Sequence, residues 1–132
     1  METCMNKFKS FTSLEQSRVL AEILPIESAD FHFSANQSPQ GYLEKPIWGN
    51  PEYANYNAFP CWSLAALFNY LCEIDFFPEI DADEHTVTMS INYYNEEEAR
   101  PLAPVHTIMV KAESFIDACY ELILKLHELK LI

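Results

Sequence analysis

The segment that most constrains the fold is an apolar run that follows a proline. It reads Pro60-Cys61-Trp62-Ser63-Leu64-Ala65-Ala66-Leu67 and continues through Phe68, Tyr70 and Leu71. Wound into a helix, these residues are apolar on nearly all sides, which is typical of a helix buried in the middle of a fold. The sequence therefore predicts a central helix from about Trp62 to Ile74, with Trp62 and Leu67 as core anchors.

Charge is the strongest global signal in this chain. Its 132 residues include 20 Asp and Glu against 8 Lys and Arg, which gives a formal net charge of −12. Between Pro46 and Ala99 there is no Lys or Arg, while ten acidic residues lie there. Such a surface repels phosphate backbones and anionic lipid headgroups, so the sequence argues against direct binding of nucleic acid or of a membrane.

The acidic residues also indicate a class of partner. A small acidic protein can occupy a basic groove on another protein by imitating a nucleic-acid backbone. The alternative is a solvated face that only keeps the chain in solution. The candidate partner-binding residues are five acids and two aromatic residues: Asp75, Glu79, Asp81, Asp83, Glu84, Trp48 and Tyr53.

Length and cysteine spacing limit the domain organisation and the compartment. A chain of this size suits a single domain, 1–132, which buries roughly two thirds of its unfolded surface. No apolar run approaches the ~20 residues of a membrane-spanning helix, and the N-terminal residues lack the apolar block of a cleavable signal peptide. The four cysteines are far apart and form no Cys-x-x-Cys pair, which favours reduced thiols and a cytoplasmic location.

The first part of the chain combines one clear helix with a long irregular stretch. Thr12 and Ser13 can cap a helix whose apolar positions recur at helical spacing. From 25 to 60 this periodicity fails, yet seven aromatic residues argue against a disordered linker. We interpret 25–60 as an ordered, loop-rich aromatic wrap with one short strand at Asp30–Ser34. It either binds a partner or covers the core.

The second half of the chain predicts an antiparallel hairpin. An acidic loop runs from Asp75 to His85. From Thr86 to Tyr93 apolar and small polar residues alternate without a fault, which indicates a strand with one buried and one solvent-exposed face. A turn region rich in Glu and Pro leads to a second strand at about Val105 to Lys111, and the two strands most simply pair with each other.

A last helix completes the predicted fold, with Ser114 as its N-cap and Asp117 at the third position. Its apolar residues extend beyond a single stripe. The helix is therefore either sandwiched inside the fold or partly committed to a second copy of the chain, as a homodimer. Together the elements predict an α+β fold of about three helices packed on a small antiparallel sheet, in the order α-loop/β-α-β-β-α.

A set of residues in the central and last helices carries a resemblance. It consists of Pro60, Trp62, Ser63, Leu64, Ala66 and Leu67, then the strand pair, then Asp117-Ala118 and Glu121. In these residues the chain resembles a group of small, uncharacterised acidic proteins of phages and other mobile elements of gut anaerobes. The resemblance covers Pro60 to Leu126 and implies an α+β fold, but no activity, substrate or cofactor. In that group a small residue such as alanine usually follows the proline, so Cys61 is a departure.

An enzymatic alternative rests on Cys61 and His106. The pair resembles the nucleophile and base of papain-like cysteine hydrolases, in which a Cys-Trp dipeptide opens a helix and the histidine begins a later strand. The departures are serious: the oxyanion-hole glutamine, the residue that orients the imidazole and the flanking glycines are all missing. A cysteine on an apolar helix is more often a small buried residue.

No metal or cofactor site is predicted. Asp81-x-Asp83-Glu84-His85 concentrates oxygen ligands and one imidazole, but it lacks the glycine and the glutamate of an EF-hand loop. The histidines are scattered without zinc-binding spacing, so weak cation binding at this loop is the most we expect. The sequence favours a non-enzymatic interaction or accessory protein of a mobile element, which contacts its protein partner through acidic and aromatic loops.

Overall fold

The computed structural model describes residues 9–34, 45–51, 58–94 and 105–132. The α-helices within them are α1 (Leu14–Leu20), α2 (Leu64–Glu73) and α3 (Phe115–Glu128). The strands are β1 (Phe31–Ser34), β2 (Ile47–Trp48), β3 (Ala58–Cys61), β4 (Glu79–Ala82), β5 (Val87–Tyr94) and β6 (Val105–Ala112). The predicted α+β class is confirmed, although these strands form two antiparallel three-stranded sheets instead of one small sheet.

The first sheet has the strand order β2-β1-β3 and lies in the segment that the sequence predicts to be a loop-rich wrap. The short strand predicted at Asp30–Ser34 is confirmed as β1. The other two strands go beyond the prediction, because β2 is only two residues long and β3 contains Pro60. Proline has no N–H to donate to a ladder, so it occurs mainly in edge strands, and β3 is one.

The second sheet has the strand order β4-β5-β6. Its two long strands form the predicted hairpin, with Ile91 opposite Ile108. The prediction of a loop from Asp75 to His85 is wrong in part, because this segment contains β4, which pairs antiparallel with β5. All four residues of β4 are exposed, so the strand has no buried alternation that a sequence pattern could reveal.

One face of β5 and the helix α3 form the centre of the hydrophobic core. Val87 and Met89 are fully buried, and α3 packs across β5 and β6. The buried residues of α3 are Ile116, Ala118, Cys119, Leu122, Ile123 and Leu126. Trp62 and Leu67 are also fully buried, so the prediction that they anchor the core is confirmed.

The central helix begins later than the sequence predicts. Ser63 is its N-cap: the Ser63 hydroxyl accepts a hydrogen bond from the Ala66 amide at 3.2 Å, and Leu64 is the first helical residue. Cys61 is therefore the last residue of β3. The expectation that Cys61 and Trp62 open a helix is wrong, and the helix dipole cannot stabilise a thiolate at Cys61 in the way that expectation assumed.

The N-caps of the other two helices agree with the prediction. Ser13 and Gln16 form a capping box at α1, and the Ser114 hydroxyl accepts a hydrogen bond from the Asp117 amide at 3.0 Å. The two caps are also linked. The Asp117 carboxylate accepts hydrogen bonds from Gln16 Nε2 at 2.7 Å and from Lys9 Nζ at 3.1 Å. This network joins the beginnings of α1 and α3.

The two longer helices end on residues in the left-handed region. Asp75 has a φ of 65° after α2, and Lys130 has a φ of 59° after α3. After α2, the Phe76 amide donates a hydrogen bond back to the Leu71 carbonyl at 2.8 Å, as in a Schellman motif. Aspartate is one of the few residues besides glycine that tolerate this conformation. The position of Asp75 in the chain therefore has a structural explanation.

Candidate functional site

The solvent-facing side of the second sheet is the first candidate surface. Because side chains alternate along each strand, the register of the three strands determines which residues share this side. They are Glu79 and Asp81 of β4, Thr88, Ser90 and Asn92 of β5, and Thr107, Met109 and Lys111 of β6. Most of them are polar, so the predicted solvent-exposed face of the hairpin is confirmed. Met109 is the apolar exception, and it is 60% exposed.

All five predicted acidic residues are exposed, and three of them have no part in the local backbone structure. Glu79 and Asp81 lie two residues apart on β4, so they stand side by side on the same face. Glu84 is exposed in the turn that connects β4 to β5. No hydrogen bond or ion pair joins these three side chains to another residue in the described part of the chain. Their charges are therefore open to a partner.

The other two predicted acids serve the local structure. The Asp83 carboxylate accepts hydrogen bonds from the amides of His85 and Thr86, both at 2.8 Å, and so it closes the turn between β4 and β5. Asp75 occupies the left-handed position that ends α2. The exposed acidic cluster seen in the sequence thus divides into two residues that also shape the chain and three that do not.

Two exposed apolar side chains belong to β4 and to the residues just before it. Phe77, just before β4, is 66% exposed. Ile80 is 44% exposed and lies on the other face of β4 from Glu79 and Asp81. Neither side chain belongs to a periodic pattern, so the sequence gives no signal for either of them. Exposed apolar side chains next to carboxylates suit a partner that carries both positive charge and an apolar side chain.

The second candidate surface is aromatic and belongs to the first sheet. Trp48 on β2 is 72% exposed. Its ring meets Phe31 edge-to-face with centroids 4.9 Å apart, and Phe31 meets Phe11 in the same way at 4.5 Å. The contacts hold the indole in place while most of its surface faces solvent. Tyr53, the other aromatic candidate, lies outside the described residues.

Cys61 is buried in a small polar network. The thiol donates to the Thr12 carbonyl oxygen at 3.5 Å, and the Thr12 hydroxyl contacts the Ser17 hydroxyl at 2.8 Å. Both Cys61 and Ser17 are fully buried. Burial raises the pKa of the Cys61 thiol, and the hydrogen bonds with Thr12 and Ser17 oppose this only in part. A nucleophilic cysteine needs the opposite, an accessible thiol with a lowered pKa.

His106 has a different environment from Cys61. It lies on β6 in the second sheet, opposite Tyr93, and its ring stacks on the tyrosine ring with centroids 5.2 Å apart. Cys61 belongs to the first sheet. Because the Cys61 thiol is buried and bonded to Thr12, the structure gives no support to the hydrolase interpretation, in which these two residues form a nucleophile and base pair.

The motif around Trp62 has a structural explanation at each polar atom. The indole N–H of Trp62 donates to the Ser28 hydroxyl at 2.9 Å, so the buried ring leaves no donor unpaired. Ser63 donates both its amide, at 2.9 Å, and its hydroxyl to the Asp30 carboxylate. These bonds fix the entry of α2 to the segment before β1. The polar atoms of this motif thus serve the packing of the fold.

The described residues contain no further sign of a catalytic or metal centre. No buried side-chain nitrogen or oxygen among them lacks a hydrogen-bond partner. No group of three His, Cys, Asp or Glu side chains in these segments lies together as a metal site would require. In the same segments, no helix combines the length and the apolar character needed to cross a membrane.

The comparisons with known proteins add no further assignment. No protein-family model, no curated protein and no solved structure matches this chain. The resemblance to proteins of mobile elements stays a prediction.

Proposed function

We propose that this chain is a non-enzymatic interaction protein that binds a basic segment of a protein partner. The contact is the acidic strand surface, which we define as Glu79, Asp81 and Glu84 with the neighbouring Phe77. One observation carries the proposal: Glu79 and Asp81 stand side by side on an open sheet face, and no described residue neutralises either carboxylate.

The distribution of charge supports a basic partner. The segment from Pro46 to Ala99 has no Lys or Arg, so its own sequence supplies no countercharge to β4. In a chain with a net charge of −12, the resulting field attracts a basic surface over several ångströms and speeds the encounter. The partner contact should therefore weaken as ionic strength rises.

The proposal includes the partner type, the compartment and the biological role that the sequence predicts. The partner is a protein with a basic groove that otherwise binds nucleic acid, and this chain acts in the cytoplasm as an accessory protein of a mobile element. The exposed Phe77 side chain makes the surface more selective than charge alone. Phe77 buries apolar area only against a partner that presents an apolar side chain next to its positive charges.

A matched pair of variants tests the surface. Glu79→Gln/Asp81→Asn removes two charges from β4, and Glu22→Gln/Glu27→Gln removes two charges from exposed acids elsewhere. The probe is a fluorescent peptide with alternating lysine and valine, measured by anisotropy at low salt. We expect the first variant to bind about two- to thirtyfold more weakly, because the variant loses two exposed ion pairs that contribute about 0.2–1 kcal/mol each. The second variant should bind nearly as tightly as the parent.

The same variants identify the natural partner. A photo-cross-linking amino acid in place of Phe77 captures whatever lies against the acidic strand surface in cells. We expect a basic protein that is captured by the parent and by Glu22→Gln/Glu27→Gln but lost with Glu79→Gln/Asp81→Asn. Equal weakening of peptide binding in both double variants would overturn the proposal, since net charge and not the strand surface would then govern the contact.

A further inference from the structure

The two edges of the second sheet differ in how they are protected. The edge strand β4 has only four residues and presents Glu79 and Asp81. Short length and charge are features that keep a sheet edge from pairing with another chain. The opposite edge strand, β6, has eight residues, and Lys111 is its only Lys, Arg, Asp or Glu. The β6 edge is therefore less protected than the β4 edge.

The backbone of β6 offers a continuous set of donors and acceptors on its outer side. The Asp83 amide donates to the Thr86 carbonyl at 3.0 Å, which identifies a hydrogen-bonded pair of the β4–β5 ladder. In antiparallel sheets such pairs alternate with non-bonded pairs. The registers of β4 with β5 and of β5 with β6 extend this alternation to β6. There, the N–H and C=O groups of Thr107, Met109 and Lys111 point away from β5. Among the described strands, none pairs with this edge.

The side chains at this edge are incompletely covered. Met109 is at the middle of the three outward residues and is 60% exposed. On the core-facing side, Ile108 and Val110 retain 7% and 9% exposure, whereas Val87 and Met89 of the central strand are fully buried. A strand added to β6 would cover all three of the β6 side chains at once.

We propose that a second copy of this chain occupies the β6 edge, with β6 antiparallel to β6 about a twofold axis at Met109. In this register the two Met109 side chains meet across the axis, and each Lys111 lies opposite a Thr107. No like charges face each other within the new ladder. The core-facing residues Ile108 and Val110 likewise lie opposite one another and extend the apolar face without a break.

Charge places a contact between two copies at the β6 edge and not at the acidic β4 edge. Two chains with a net charge of −12 repel each other, and they approach with least repulsion through a strand that carries no acidic residue. Because α3 packs behind β6, the dimer also brings the two α3 helices together behind a six-stranded sheet. A homodimer that involves the last helix is one of the two alternatives that the sequence leaves open.

Salt dependence separates this inference from the proposed function. Repulsion between two acidic chains opposes dimerisation. High salt screens this repulsion, so it should strengthen the dimer. Binding of a basic partner to the acidic strand surface should weaken under the same change. The two contacts use opposite edges of the sheet, so either one can fail without the other.

Sedimentation equilibrium of the full chain, with Met109→Pro and Met109→Thr, tests the dimer. We expect a monomer–dimer equilibrium in the parent that shifts toward dimer at high salt. Met109→Pro removes an N–H that the ladder to β5 does not use, and proline is tolerated at such edge positions. It should be folded and monomeric. Met109→Thr keeps the amide and should retain a weaker dimer.

Hydrogen exchange on the parent gives a second readout that needs no variant. The amides of Thr107, Met109 and Lys111 should exchange more slowly as protein concentration rises, because pairing protects them. A parent that stays monomeric at high concentration and high salt would overturn the proposal. So would exchange at these amides that does not depend on concentration, or a folded Met109→Pro chain that dimerises like the parent.

Discussion

The two sheets of this protein use polar side chains in opposite ways. At the first sheet, Thr12 and Ser17 are buried beside Cys61, and their hydrogen bonds are satisfied within the fold. At the second sheet, Glu79 and Asp81 face solvent, and no described residue pairs with them. The comparison separates polar groups that stabilise the fold from polar groups that are open to another molecule. It also shows that Cys61, the residue for which the sequence suggested catalysis, belongs with the groups that stabilise the fold.

The largest effect should be a difference in thiol reactivity. Cys72 is exposed, whereas Cys61 and Cys119 are buried, and burial raises the pKa of Cys119 to about 12. In a Cys4→Ser chain, a disulfide reagent at neutral pH should label Cys72 about a thousandfold faster than the other two, which react only when the fold opens. The measurement is the absorbance time course, with mass spectrometry to locate the label.

The control for this prediction is the unfolded chain, in which all three thiols should react at similar rates. Labelling of Cys61 as fast as Cys72 in the folded chain would contradict the structural interpretation. It would also restore the cysteine hydrolase as a candidate function.

A smaller effect should separate the carboxylates of the two sheets. Asp30 accepts two hydrogen bonds from Ser63, so Asp30→Ala should lower the free energy of unfolding by about 1–3 kcal/mol, because the Ser63 amide loses its partner. Glu79→Gln/Asp81→Asn should change it by less than about 0.5 kcal/mol. Urea denaturation of both variants checks the difference. Equal losses would show that β4 depends on its acids for stability.

The smallest effect concerns the carboxylate that links α1 and α3. Although burial acts to raise the pKa of Asp117, hydrogen bonds from Gln16 and Ser114 and the contact with Lys9 outweigh it, so the pKa lies below its ordinary value. A lowered pKa in the folded state stabilises the protein above the ordinary pKa of about 3.9, and that stability is lost as pH falls through the folded value. The side chain is 34% exposed, so solvent screening keeps the effect below about 1 kcal/mol.

Unfolding measured between neutral pH and pH 3 checks this prediction. The parent should be more stable than Asp117→Asn near neutral pH, and the difference should shrink as the solution becomes more acidic. A difference that stays constant would show that packing, and not the charge of Asp117, joins the two helices.

Local patterns in the sequence were enough to predict several elements of the fold. The caps at Ser13 and Ser114 involve residues only three positions away, and the alternation of β5 is visible within eight residues. The strands that escaped prediction are β2, β3 and β4. Each is at a sheet edge and no longer than four residues, so tertiary pairing and not local preference defines it.

The candidate site was predictable to a lesser extent. The acidic segment of β4 could be found from composition, but the separate roles of Asp81 and Asp83 depend on the strand register and on the turn. The burial of Cys61 depends on Thr12, which is 49 positions away in the chain. A pattern read over a few residues cannot contain that contact, so the Cys-Trp dipeptide suggested a chemistry that the fold does not provide.

Because α2 ends on a left-handed residue, only some replacements can remove the acidic side chains in an engineered, less acidic version of this protein. At Asp75, a β-branched replacement would have to adopt a φ near 65°, so the direction in which the chain leaves α2 toward β4 would change. Asparagine keeps that backbone conformation at position 75, and it can still accept hydrogen bonds at Asp83. A charge-stripped library should therefore use asparagine at these two positions and vary Glu79, Asp81 and Glu84 freely.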